Sequence, residues 1–410
     1  MNKLLEQLNM TAISADFDAA YYQAASDTIF PTWLTPEFVT SFNTETNAIS
    51  LHLPQVLLAL DELVRNPNLV LFAKTVFIML KLPNHKEVFH NFSLPQAPSD
   101  VPSSAAYDVV ALFPLMAAMD DGYHSLLARG IDPEIVNNTY RSLDGCIDAS
   151  SLREGKFSLS CLYFLWSILY VKGLVFNIRG LNFEICPSFS YGVRAFSNHS
   201  GSTKLLMSEA RLHRSGAILG SLCCTDSTGA YDGDFLETRA YYEGYETDTV
   251  TGMALRSRTR LDKSEWNQFL GPDDAVISVH IPAGFKLKEE ACEAAYEAAR
   301  EFFGFYFPEY RFRAFLCHSW LLSCELPMLL PPDSRILNFR SKYFRFPVLT
   351  EGIDVFIFVF ELSPDKTKNV NVDMLPETTS LMRRVKSLYQ RGGSVGECAG
   401  VFPFEVQKSR

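Results

Sequence analysis

The chain has 410 residues, 47% of them hydrophobic and 20% charged, with a formal net charge of −10. It is long enough for two or three domains with cores of their own, and too apolar for a disordered chain. The acidic balance, with no run of Lys and Arg, excludes the basic stripe of a nucleic-acid binder, so an anionic ligand needs a locally positive pocket.

The opening "MNKLLEQLNM" lacks an apolar core and a small-residue cleavage site, so no secretory signal is expected. The nine cysteines include no C-x-x-C pair, and Cys223 and Cys224 are adjacent, a poor geometry for bridging. They read as reduced thiols of a cytoplasmic protein.

The first 172 residues read as an all-helical domain. In "PQVLLALDELVRNP" (54–67), Val56, Leu57, Leu60, Leu63 and Val64 fall at helical spacing, and Pro54 suits a first turn. "NLVLFAKTVFIMLKLP" (68–83) is apolar nearly all round, as a central helix is. A loop follows over 94–106, punctuated by Pro95, Pro98 and Pro102. Further helices are expected over 108–128, 132–143 and 157–171, the second capped by Asp132 ahead of Pro133. "FSLSCLYFLWSILYV" (157–171) is shorter than the roughly 20 residues that span a bilayer, so it reads as a buried helix and no membrane partner is expected.

Near Gly173 the period changes, and residues 173–410 read as a second domain. "LVFNIRGLNFEICP" (174–187) and "MALRSRTRL" (253–261) alternate as strands do. The most informative stretch is "AVISVHIPAGFKLKEEACEAAYEAAREFFGFYFPEYRFRAFLCHSWLL" (275–322). Residues 275–282 form a β-branched run, as in a strand buried on both faces. A helix begins near Lys288, with Cys292, Ala295, Ala299, Phe302 and Phe303 on its apolar stripe. A second strand starts at Arg313.

This β-α-β unit implies parallel strands with a right-handed crossover, and ligands bind outside the carboxyl ends of such strands. His280 and His318 each lie near such an end. Alternation puts Cys317 and Ser319 on one face and His318 and Trp320 on the other, so Cys317 and His318 cannot form a dyad. Cys317 is expected in the core and His318 in the crevice.

The runs "VISVHIPAG", "FPEYRFRAFLCHSWLL" and "LLPPDSRILNF" together resemble the bacterial acyltransferase-domain proteins, which pair a helical N-acyltransferase domain with a GNAT-like C-terminal domain. "FNIRGLNFE" (176–184), "LPETTSLMRRV" and "QRGGSVGECAGVF" resemble other segments of that family. The resemblance implies a mixed α/β sheet after the helical domain, and acyl transfer from acyl-CoA to an amine or similar group on a small-molecule acceptor. It places the thioester where two central parallel strands splay, and the pyrophosphate on the amides that open the intervening helix. Carried over, Ile281, Ala283, Gly284, Phe285 and Lys286 are the CoA-binding positions. Glu184 or His280 is the base, and Tyr343 or His318 the acid. The usual phosphate loop, [QR]-x-x-G-x-[GA], is replaced after Ile281 by "AGFKLK". That departure supports an alternative, a GNAT-like protein that binds a ligand or protein without chemistry.

Other constellations carry less. Asp226, Asp232 and Asp234 in "DSTGAYDGD" miss the spacing of a calcium loop and read as a solvated turn. His85 and His90 miss the i, i+4 spacing of a zinc helix, so no metal is expected.

Overall fold

The computed structural model describes residues 1–10, 15–97 and 104–404. Two compact units result, Met1–Ile178 and Arg179–Arg410. The division falls later than Lys172 for a local reason. The change of period near Gly173 marks the strand Val175–Ile178, which lies beside the helix Pro133–Tyr140 and stays with the helices. The Asn177 amide donates to Thr139 Oγ1 at 2.8 Å.

The first unit is otherwise helical. Each helix expected over 54–67 and 68–83 begins on a proline-bearing turn, Leu53–Val64 and Pro67–Lys81. Asn66 caps the second, its Oδ1 accepting from the Asn68 amide at 3.0 Å. At its other end the Lys172 ammonium donates to the Leu80 and Leu82 carbonyls, both at 2.7 Å, satisfying acceptors that the helix leaves open. Asp132 caps Pro133–Tyr140 through the Glu134 amide at 2.8 Å. The patterns over 108–128 and 132–143 each split, into Ala105–Val109 and Leu112–Ala128, and into Pro133–Tyr140 and Ser142–Glu154. Part of the proline-punctuated loop, residues 98–103 with Pro98 and Pro102, lies outside the described residues. Phe72, Phe89, Phe92 and Phe164 meet at centroid separations of 5.1–6.2 Å in this core, Phe89 edge to face on both Phe92 and Phe164. No single described helix is long and apolar enough to cross a membrane; only Leu53–Val64 with Pro67–Lys81 reaches the length, and that pair bends by 112°.

The run read as one strand over 174–187 is broken by Arg179 and Gly180, whose φ values of 50° and 92° turn the chain. In the second unit a mixed sheet runs in the order Leu181–Cys186, Val276–His280, Ala314–Ser319, Cys398–Pro403, Phe344–Pro347. Only the pair Val276–His280 and Ala314–Ser319 is parallel; the others are antiparallel. One face carries Val276, Ala314, Leu316, Ala399, Val401 and Phe346, buried against Val193, Ala195, Leu205 and Met207 of a second, antiparallel sheet. The other face is covered by the helix Glu289–Tyr306, which buries Cys292, Ala295, Tyr296, Ala299, Phe302 and Phe303. Phe183, Phe315 and Phe402 meet Tyr296 there at 5.0–6.1 Å. Each such ring, fully removed from water, is worth about 1.5–3 kcal/mol, so the crossover helix is fixed by its aromatic face.

The "RSRTR" strand is confirmed as Ala254–Asp262, with Arg256, Arg258 and Arg260 exposed. Asp226 caps its own turn through the Thr228 amide at 2.9 Å, and Asp232 pairs with Arg211 at 2.8 Å.

Candidate functional site: two histidines where parallel strands part

Val276, Ile277 and Val279 are at most 2% exposed, as expected of a β-branched strand covered on both faces. The parallel register pairs Val276 with Ala314, Ile277 with Phe315 and Ser278 with Leu316, and then stops. Both strands continue, each on its outer neighbour. Val279 and His280 pair with Phe183 and Asn182. Cys317, His318 and Ser319 pair with Gly400, Ala399 and Cys398. The two parallel strands therefore splay at their carboxyl ends, where an open α/β sheet offers a crevice.

Register also decides which side chains share a face. Glu184 lies opposite Ser278, and Ser278 opposite Leu316, so Glu184, His280 and His318 project to the same side. His280 Nε2 and Glu184 Oε2 are 2.8 Å apart, with the carboxylate mostly buried. His318 Nδ1 lies 3.0 Å from the Tyr191 hydroxyl, and the two rings meet edge to face at 5.9 Å. Burial lowers the His318 pKa from its ordinary 6.5, and the neighbouring His280 lowers it further. The ring is reachable by solvent but hemmed in by protein, as at the floor of a cleft. Burial pushes the Tyr191 phenol up, so it keeps its proton and can donate.

Tyr191 has no counterpart in the sequence reading. It precedes the strand Val193–Asn198 in an irregular segment, held close to its neighbour by Gly192. A Cβ on that glycine would stand 2.3 Å from the Glu209 carbonyl oxygen. Tyr191 also packs on Phe346 and Phe189, both at 5.4 Å, which fixes its ring.

Tyr343 is not brought to this cluster. It is 3% exposed, bonded through its hydroxyl to Tyr296 at 2.7 Å, and flanked by Phe339 and Phe402 at 5.2 Å. Burial drives its pKa far up. It lies with Tyr296 on the helix-covered side, which Glu184, His280 and His318 do not face. Gly400 makes room for it: a Cβ there would meet Tyr343 Cβ at 2.7 Å.

Cys317 is fully buried, and burial pushes its thiol up to about 12. The expected parting of Cys317 and His318 is present, but Trp320 does not share the histidine's face. The strand ends at Ser319, whose Oγ accepts from the Leu321 amide at 3.1 Å and caps a 3₁₀ turn, Trp320–Leu322.

The loop after His280 is a turn closed by the Phe285 amide on the Pro282 carbonyl at 3.2 Å. Gly284 takes φ of 85°, and Ala283, Gly284 and Lys286 are exposed while Ile281 and Phe285 are half-buried. The Phe285 ring lies on Gly180, where a Cβ would stand 3.0 Å away. The helix then starts at Glu289 with no side-chain cap, leaving first-turn amides for a ligand or water. Asn338 Nδ2 holds the Glu289 carboxylate at 3.1 Å.

A protein-family model described as a GNAT-like C-terminal domain matches residues 181–402. The chain belongs to this family. No curated protein matches it. Among solved structures, this GNAT-like chain is similar to an acyltransferase in complex with decanoyl-CoA and teicoplanin. The two share 15% identity over 98% of this chain and 99% of that one, with a TM-score of 0.66. A second structure, an acyltransferase with decanoyl-CoA, shows 16% identity, 98% coverage of both chains and a TM-score of 0.63. Both likenesses are of fold.

Proposed function

We propose that the chain transfers an acyl group from an acyl-CoA to an amine, or a similar nucleophile, of a small-molecule acceptor. The observation that carries this reading is the splay between Val276–His280 and Ala314–Ser319, with a partnered histidine on each strand. Structural neighbours holding acyl-CoA on the same fold support the choice of donor.

An amine acceptor arrives as an ammonium and must lose a proton before it attacks the thioester carbon. His280 takes that proton, while Glu184 accepts from Nε2–H, fixes the tautomer and offsets the charge formed. The Tyr191 hydroxyl donates to His318 Nδ1, which leaves Nε2–H on a neutral ring, an assignment made from the bonding pattern. That N–H faces the charge developing on the thioester as the C–N bond forms and the C–S bond breaks. As the C–S bond breaks, the nitrogen's second proton passes to the departing thiolate, so CoA leaves as the free thiol, and His280 returns the first proton to solvent.

The pantetheine and phosphates are assigned to Ile281, Ala283, Gly284, Phe285 and Lys286, with the uncapped helix amides beyond them. Glu289 and Glu290 in that first turn oppose an anion. They favour the second reading, a fold that binds without chemistry.

Full-length protein titrated with acetyl-CoA and decanoyl-CoA tests both. At tenfold over Kd, binding stabilises by about 1.4 kcal/mol, a readable shift in melting temperature. Free-thiol release with an amine acceptor then separates an enzyme from a binder. No shift at millimolar acyl-CoA would sink the transfer reading.

A further inference from the structure

A second cavity, of about 270 Å3, has a wall that includes Lys204 and Leu205 of one sheet and Phe344 and Arg345 of the other. It shares no residue with the histidine site. Arg340 and Arg345 stand in its wall, each only 6% exposed. Every hydrogen-bond acceptor they find is a backbone carbonyl. Arg340 Nε donates to Leu322 and Ser323 at 3.3 and 3.0 Å, and its Nη2 to Val250 at 2.9 Å. Arg345 Nη1 donates to Arg340 and Tyr343 at 3.0 and 3.1 Å, and its Nη2 to Thr249 and Val250. The Nε of Arg345 is buried with no partner at all.

Buried charges are normally paired, because removing an ion from water costs several kcal/mol. Here two guanidiniums sit side by side, and among the described residues no carboxylate bonds to either. The nearest acids are engaged elsewhere. Asp248 accepts from the Val250 and Thr251 amides, and Glu325 from Ser323 and Cys324. Lys204, also in the wall, is spent on Glu246 at 2.8 Å. Burial first, and the neighbouring Arg340 after it, bring Arg345 down to about 10.

Glu246 also stands in the wall, but its carboxylate accepts from Lys204 and from Thr259 at 2.8 and 2.9 Å, so it offsets the lysine rather than the two guanidiniums. Thr203, Thr247 and Thr249 line the same wall, and hydroxyls with guanidiniums are the donors that oxyanions take. A phosphate carries about −1.5 to −2 at pH 7, which matches two guanidiniums where a single carboxylate does not. The volume is several times the roughly 30 Å3 share of one water, so an organic stub fits beside the phosphate.

We propose that this cavity binds a phosphate group, as free phosphate or on a small phosphorylated molecule, with Arg340 and Arg345 supplying its counter-charge. The test uses the full chain at constant ionic strength, titrated with inorganic phosphate, glycerol phosphate or chloride. The expected result is saturable binding of one phosphate per chain and a rise in Tm of about 2–4 °C that chloride does not give. A larger effect of glycerol phosphate points to a phosphate ester, and an equal or smaller one to free phosphate. Ser341→Glu, at the exposed rim, should raise Tm without phosphate and abolish the phosphate response. Ser341→Gln should do neither. A glutamate at the end of a helix opposes its dipole, so that rise cannot come from the helix. Phosphate acting no more than chloride, or a response that survives in Ser341→Glu, overturns the proposal.

Discussion

Replacing Cys317 with alanine separates the two faces of the strand that carries His318. The sulfur lies in a fully buried position opposite Gly400, which has no side chain to fill a void. The rings nearby are tied, Tyr343 to Tyr296 by their shared hydrogen bond. The site therefore collapses poorly, and a void the size of a methyl group costs about 1 kcal/mol. In a unit of this size that lowers Tm by roughly 2–4 °C. Acyl-CoA binding should be unchanged, because the thiol faces away from the crevice. Reactivity gives an independent check. A thiol raised from 9.0 to about 12 carries roughly a thousandfold less thiolate than an ordinary one at the same pH, so it should resist a thiol reagent. Peptide-resolved mass spectrometry after brief labelling should show Cys223, which is exposed, modified and Cys317 untouched. If Cys317 labels as fast as Cys223, and acyl-CoA protects it, the assignment of faces is inverted and the cysteine belongs to the site.

Two further outcomes follow from the histidine pairs. Glu184→Gln keeps a hydrogen bond to His280 but loses the charge that assists it, a loss of about 1.5–3 kcal/mol or roughly 10–150-fold in kcat. A raised KM with unchanged kcat would instead make Glu184 a binding residue. His318, whose pKa is lowered on folding, is neutral in both folded and unfolded chains above pH 6.5. As pH falls below that value the unfolded chain takes up the proton first, so stability declines until the folded pKa is passed. Denaturant midpoints between pH 7.5 and 5.5 should fall less in His318→Gln than in the parent, and equal falls would remove His318 as the cause.

Much of this was legible in one dimension. Period alone separated the helices from the strands, and a β-branched run followed by an amphipathic helix and a second run gave the parallel pair carrying His280 and His318. Alternation then sent Cys317 inward, because it is a local rule that needs no knowledge of neighbours. What failed to show depends on distant partners. Tyr191 lies 127 positions from the histidine it contacts, and Tyr343 lies 47 from the tyrosine that buries it. No periodicity connects such pairs. The misplacement of Trp320 has a different origin: alternation was carried past Ser319, a hydroxyl residue able to cap a turn and end the strand.

The way the sheet opens also bears on its motions. Pairing is lost only between the two central strands, while the outer ladders run on to Asn182 on one side and Cys398 on the other. The gap is thus a fixed slot framed by hydrogen-bonded backbone, and the conformational entropy of shaping it is lost once, during folding, rather than at each encounter. Association with a ligand should then proceed in a single step without a slow isomerisation. The amides bonded into the outer ladders should exchange with solvent as slowly as the rest of the core, even though they border the opening.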